Sequence, residues 1–171
     1  MYCLFDKVMS RYVMQGLRKL SDLQIPTADE EIALKFFFNE ANNHIFYVVP
    51  ATKNTLTRMY PSSRYQSLIN LFLNQVDVAY PLKYHKRWAR RLRKYTFTRE
   101  DASVLSLATF GSNHDVTKLG MKCILTFDNK MINNWELHYP TIGERLETMK
   151  RDLAEPYSNV TLPRVLRPDA L

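Results

Sequence analysis

Long apolar runs are missing from this chain: no stretch approaches the ~18 unbroken apolar residues of a membrane span. Cysteine is scarce as well. The two present, Cys3 and Cys123, form no CxxC pair and no Cys/His spacing, which argues against a zinc centre. Each lies inside an apolar, strand-like run, where a reduced thiol serves as a small core side chain. Met1-Tyr-Cys-Leu-Phe-Asp6 enters such a run directly, without the basic segment and apolar stretch of a secretory leader. The expectation is a cytoplasmic protein with no membrane contact. Repeats and low-complexity tracts are also lacking.

One absence is local. Between Lys83 and Tyr95 there is no acid, yet Lys83, Lys86, Arg87, Arg90, Arg91, Arg93 and Lys94 all fall there. The chain holds 24 Lys and Arg against 17 Asp and Glu, a net charge of +7. Setting those seven aside leaves cations and acids equal in number, so one segment carries the whole excess. A phosphate-binding face has this character. The competing reading is a solvated helix whose long side chains cover apolar neighbours, but ordinary surface helices mix charge signs. Tyr84, Trp88, Leu92 and Tyr95 recur at helical spacing within the segment and suit core packing better than base stacking. His85 has no Ser, Cys or carboxylate partner in view and reads as a surface or phosphate-contacting group.

What is present suits one globular domain: 171 residues, 46% apolar and 24% charged. Met1–Phe5 reads as a buried strand, and Met9, Tyr12, Val13, Leu17 and Leu20 continue with helical spacing. Thr27-Ala-Asp-Glu30 is a capping box that opens a second helix, extending to about Ala41. Ile45–Val49 is β-branched and aromatic, hence a strand. Pro50 opens a short helix to about Met59, and Ser62–Leu73 is helical again. Val76–Tyr80 reads as a strand stopped by Pro81. The basic helix follows, then a helix from Thr98 closed by Gly111, then a strand over Lys122–Phe127. Strands separated by one or two helices predict a parallel sheet covered on both faces, a three-layer α/β/α arrangement. The last twenty or so residues, 151–171, with Pro156, Pro163 and Pro168, read as an irregular tail.

Three aspartates then stand out. Asp6 ends the first apolar run, Asp128 ends the run Ile124–Phe127, and Asp101 lies in the first turn of the Thr98 helix. Ligands of open parallel sheets bind beyond the carboxyl ends of the strands, so these carboxylates are expected to share one crevice. Hard cations such as Mg²⁺ or Mn²⁺ take oxygen ligands and keep several waters, so two or three carboxylates can hold one. For Asp101 two readings stand side by side. In Thr98-Arg-Glu-Asp101 it can complete a capping box; it also borders the face of Val104, Leu105 and Ala108, where a cation would partner it.

The segments Glu100-Asp-Ala-Ser-Val-Leu-Ser-Leu-Ala108 and Ile124-Leu-Thr-Phe-Asp128 resemble the C-terminal half of PIN-domain nucleases. The second includes that family's Thr-x-Asp element, here Thr126-Phe-Asp128. The N-terminal strand ending in Asp6 is similar too, although Val8 stands where the family often has Asn. The resemblance covers residues 1–150 and implies a PIN-like fold. It further implies metal-dependent RNA cleavage, with Asp6, Asp101 and Asp128 as catalytic metal ligands, Thr126 in support, and single-stranded or loop RNA as substrate. The family's mid-chain acid is lacking: Pro50-Ala-Thr-Lys-Asn-Thr-Leu-Thr-Arg58 holds no carboxylate, and Asn54 or Thr55 takes its place in support of the site. Two alternatives stay open beside the enzyme. One is an RNA-binding or scaffold module without cleavage; the other is a toxin-type nuclease silenced by an antitoxin-like partner. A homodimer is left open as well.

Overall fold

The computed structural model describes residues 1–113 and 119–171. Strand β1 (Tyr2–Phe5) leads into helices α1 (Lys7–Ser21) and α2 (Ala28–Asn39), strand β2 (Ile45–Val48), and helices α3 (Thr52–Met59) and α4 (Gln66–Leu73). Next come β3 (Val76–Val78), β4 (Tyr80–Pro81), α5 (His85–Leu92) and α6 (Arg99–Phe110). Then follow β5 (Gly111–Ser112), β6 (Cys123–Leu125), α7 (Asn129–Lys150) and β7 (Arg164–Leu166).

Strands β3-β2-β1-β6-β7, in that spatial order, form one parallel sheet. The two-residue alternation of the strands divides the core. Leu4, Tyr47, Ile124 and Val165 are register partners across four strands and pack with Trp88, Leu92, Leu105 and Trp135 from α5, α6 and α7. Cys3, Phe5, Phe46, Val48 and Leu125 face the other way, against Met9, Val13, Phe37, Leu56, Ile69 and Phe72 from α1 to α4. Both faces are covered, as the expected three-layer α/β/α arrangement requires. Cys3 and Cys123 are register partners on β1 and β6, free and fully buried. Their mutual hydrogen bond and burial push the Cys123 thiol far above its ordinary value. They are core thiols. No helix among the described residues is long and apolar enough to cross a membrane.

The capping box at Thr27 forms, and Glu30 also accepts from Lys19 Nζ at 2.7 Å, tying α2 to α1. Two expectations need correction, and one helix was not foreseen. Pro81 does not stop a strand over 76–80: β3 ends at Val78, and Tyr80 and Pro81 pair antiparallel with Ser112 and Gly111. Proline is tolerated there because the two-residue ladder needs little from its missing donor. The 151–171 segment is not irregular throughout, since Arg164–Leu166 forms an edge strand in register with Cys123–Leu125. Residues 129–150 drew no element from their pattern, yet they form the longest helix, with Pro140 inside it. Gly111 closes α6 as expected, but in extended backbone; a Cβ there would collide with the Leu107 carbonyl oxygen.

The aromatic stripe of the basic segment is core. Trp88 and Leu92 are buried, Tyr84 and Tyr95 pack against the same cluster, and Trp88 meets Phe110 edge-on at 6.2 Å. Trp88→Ala is therefore expected to cost about 3–5 kcal/mol of stability, read from urea unfolding. A loss near zero would return Trp88 to a surface role.

Candidate active site

Asp6 leaves β1 and caps α1. Its Oδ1 accepts from the Met9 amide at 2.7 Å, and its Oδ2 accepts from the Thr126 hydroxyl at 2.6 Å. The Thr126 oxygen in turn accepts from the Asp128 amide at 2.9 Å. Asp128 caps α7, accepting through Oδ1 from the Lys130 and Met131 amides. Asp101 completes the capping box with Thr98, its Oδ2 accepting from the Thr98 amide at 3.2 Å. Asp6, Asp101 and Asp128 line one cavity of about 190 Å³, together with Lys7, Arg11 and Glu100.

The electrostatics follow from that arrangement. Asp6 is 6% exposed. Burial pushes its carboxyl up to about 6, with the Asp128 charge adding to the rise and the bonds from Met9 and Thr126 opposing it. Lys7 and Glu100 pair at 3.4 Å where both are largely solvated, a contact that water screens.

The donor set suits a hard divalent cation in kind: all three aspartates offer oxygens to one cavity. Oδ2 of Asp128 and Oδ1 of Asp101 make no hydrogen bond among the described residues. The side chains are nevertheless turned to capping. Among the described residues, no three His, Cys, Asp or Glu groups are gathered as a metal-ligand cluster.

The acidic cavity does not stand alone. Lys7, Arg11, Glu100 and Val104 also line a second cavity of about 830 Å³. That cavity shares His85, Arg99 and Ser103 with a third, of about 580 Å³, bordered by Lys86, Arg90 and Arg93. The three adjoin in a row through shared lining residues, a groove acidic at one end and basic at the other. Thr55 lies in the middle cavity rather than beside the aspartates, while Asn54 is exposed and lines none of the three. The support expected from Asn54 is therefore not found, because α3 turns it outward. Lys7, Arg11, Glu100 and Arg99 were not singled out from the sequence, although each adjoins a motif residue or lies one helical turn from one.

The seven cations divide. Lys86, Arg90 and Arg93 border the groove, whereas Lys83 stands 5.4 Å from the Tyr84 ring centre. Arg91 is half-buried; burial lowers it, with the Arg87 and Arg145 charges adding and Asp152 opposing. None of the seven forms a salt bridge among the described residues. His85 is half-buried and lines both the middle and the basic cavity, with its Nε2 3.2 Å from the Ser103 carbonyl oxygen. Burial lowers its pKa, the Ser103 contact opposes, and Lys86 lowers it further.

Asp6 generates a pH dependence of stability. The folded protein holds the Asp6 proton more tightly than the unfolded chain, whose carboxyl titrates near 3.8. Stability from this source is present below that value and is lost as pH rises to about 6. Asp6→Asn is expected to remove a fall of up to about 3 kcal/mol across that window, measured by urea unfolding from pH 4 to 8. An unchanged slope in the variant would assign the dependence to another group.

Comparisons with protein-family models, with curated proteins and with solved structures give no match for this chain.

Proposed function

We propose that the chain is a Mg²⁺- or Mn²⁺-dependent ribonuclease of PIN-domain type, acting on single-stranded or loop RNA. The observation that supports this reading is the order of the cavities: the one lined by Asp6, Asp101 and Asp128 and the one bordered by Lys86, Arg90, Arg93 and Arg99 each adjoin the same middle cavity. One polyanion lying along it has its flanking phosphates held by the basic end while another phosphate reaches the acids.

Asp6, Asp101 and Asp128 would hold the divalent cation, which when bound would supply Lewis acidity for phosphodiester hydrolysis. The remaining roles belong to the chain. Thr126 orients Asp6 through its hydroxyl and fixes the Asp128 backbone through its oxygen. Lys7 and Arg11, on the wall of the acidic cavity, meet the negative phosphate there. Glu100 partners Lys7 and adds a carboxylate to the same wall.

A second reading, an RNA-binding module without cleavage, draws on the engagement of all three aspartates in helix caps. Turnover separates the two. The nuclease cleaves a single-stranded RNA with Mg²⁺ or Mn²⁺, and EDTA or Asp101→Asn reduces cleavage to background. Asn keeps an oxygen acceptor for the Thr98 amide, so the cap survives this substitution. RNA retained without cleavage under every metal condition favours the binding module.

The basic end has its own test. Replacing Lys86, Arg90 and Arg93 with Gln is expected to flatten the log–log salt dependence of RNA binding. The slope changes by roughly 0.7 for each single-strand phosphate that is no longer neutralised. An unchanged slope would make these cations a solvated face.

A further inference from the structure

The 830 Å³ cavity between the acidic and basic ends is not used by the chemistry above. Its wall is largely aliphatic, from Val49, Pro50, Leu56, Met59, Pro81 and Leu107. Its size falls within the roughly 300–1,000 Å³ of pockets that enclose small molecules. Charge at both ends and an apolar wall between them fit a ligand with an anionic backbone and flat, weakly polar appendages. His85 adds a polar group to this wall. Its Nε2 faces a carbonyl oxygen and so donates, which leaves Nδ1 as the acceptor of the neutral ring.

Resting on the ribonuclease reading, we propose that this cavity receives an unstacked nucleobase of the bound RNA strand. The cavity adjoins both ends, sharing Arg99 with the basic one and Glu100 with the acidic one, so a strand held by Arg99 and the α5 cations passes beside it on the way to the aspartates. A base turned inward there removes its face and the aliphatic wall from water together. Bases of a duplex are paired and stacked, so the same step discriminates against double-stranded RNA.

The test compares two labelled probes by fluorescence anisotropy: a hexaribonucleotide, and the same sugar–phosphate backbone with every base removed. The wild type is expected to bind the base-bearing strand about tenfold more tightly. Ala51→Phe and Met59→Phe, which fill the cavity, are each expected to shrink that advantage. Methyl NMR on Val49, Leu56 and Leu107 needs no substitution, and shifts are expected with the hexanucleotide but not with the abasic strand. Equal binding of the two probes, or shifts absent from those methyls, would overturn the base site. A hexanucleotide cleaved with Mg²⁺ yet showing no base advantage would leave the ribonuclease reading standing alone. Failure of both probes to bind would remove both. A nucleoside 5′-monophosphate binding as tightly as the hexanucleotide would assign the cavity to a free nucleotide and overturn the strand-bound base.

Discussion

The Thr126 hydroxyl is the contact on which the rest of the site depends. It donates to the Asp6 carboxylate at 2.6 Å and accepts from the Asp128 amide at 2.9 Å. Through it the exits of two neighbouring strands, β1 and β6, are joined where the chain turns into α1 and α7. Both aspartates are helix caps, so the bond also sets where each of those helices begins. Thr126 is fully buried, so no water competes for either bond. A side chain with one donor and acceptor capacity on the same atom is required here, and Thr meets that need without leaving a buried group unpaired.

That arrangement has an electrostatic cost. Asp6 is desolvated beside another carboxylate, and its raised pKa records the strain. The helix N-termini lower the cost by presenting amides and the positive end of the dipole. Lys7 and Arg11 bring opposite charge to the same wall. Capping and cation binding thus make the same demand on an aspartate, an oxygen aimed at positive charge. At Asp101 the capping box forms through Oδ2, and Oδ1 makes no hydrogen bond among the described residues.

The basic segment shows a similar economy. Trp88 and Leu92 anchor α5 in the core next to α6, and the Ser106 hydroxyl donates to the His85 carbonyl at 2.7 Å. With one face buried, the cations are confined to what remains, and three of them border the groove. Packing of α5 on α6 thereby sets the basic end beside the helix that carries Asp101 and Glu100.

Much of this was legible locally. Short continuous apolar or β-branched runs marked most strands and helical spacing marked most helices, and Thr27 and Thr98 announced their capping boxes three residues ahead of Glu30 and Asp101. Arg164–Leu166 was not legible because three residues carry no period, and their strand exists only through pairing with β6. In α7, Met131, Trp135, Ile142, Leu146 and Met149 do share a stripe, but Pro140 interrupts the pattern that would mark a helix.

By itself, the sequence determined most of the element types, the caps at Thr27 and Thr98 and the place of the excess positive charge, because each depends on neighbours within a few residues. Only the tertiary structure decided that Asp6, Asp101 and Asp128 share a wall, that Asn54 turns away from it, and that Glu100 and Arg11 face it. Those facts rest on how α1, α3 and α6 are oriented over the strand ends. Orientation is set by packing between elements distant in sequence, and no local spacing encodes it.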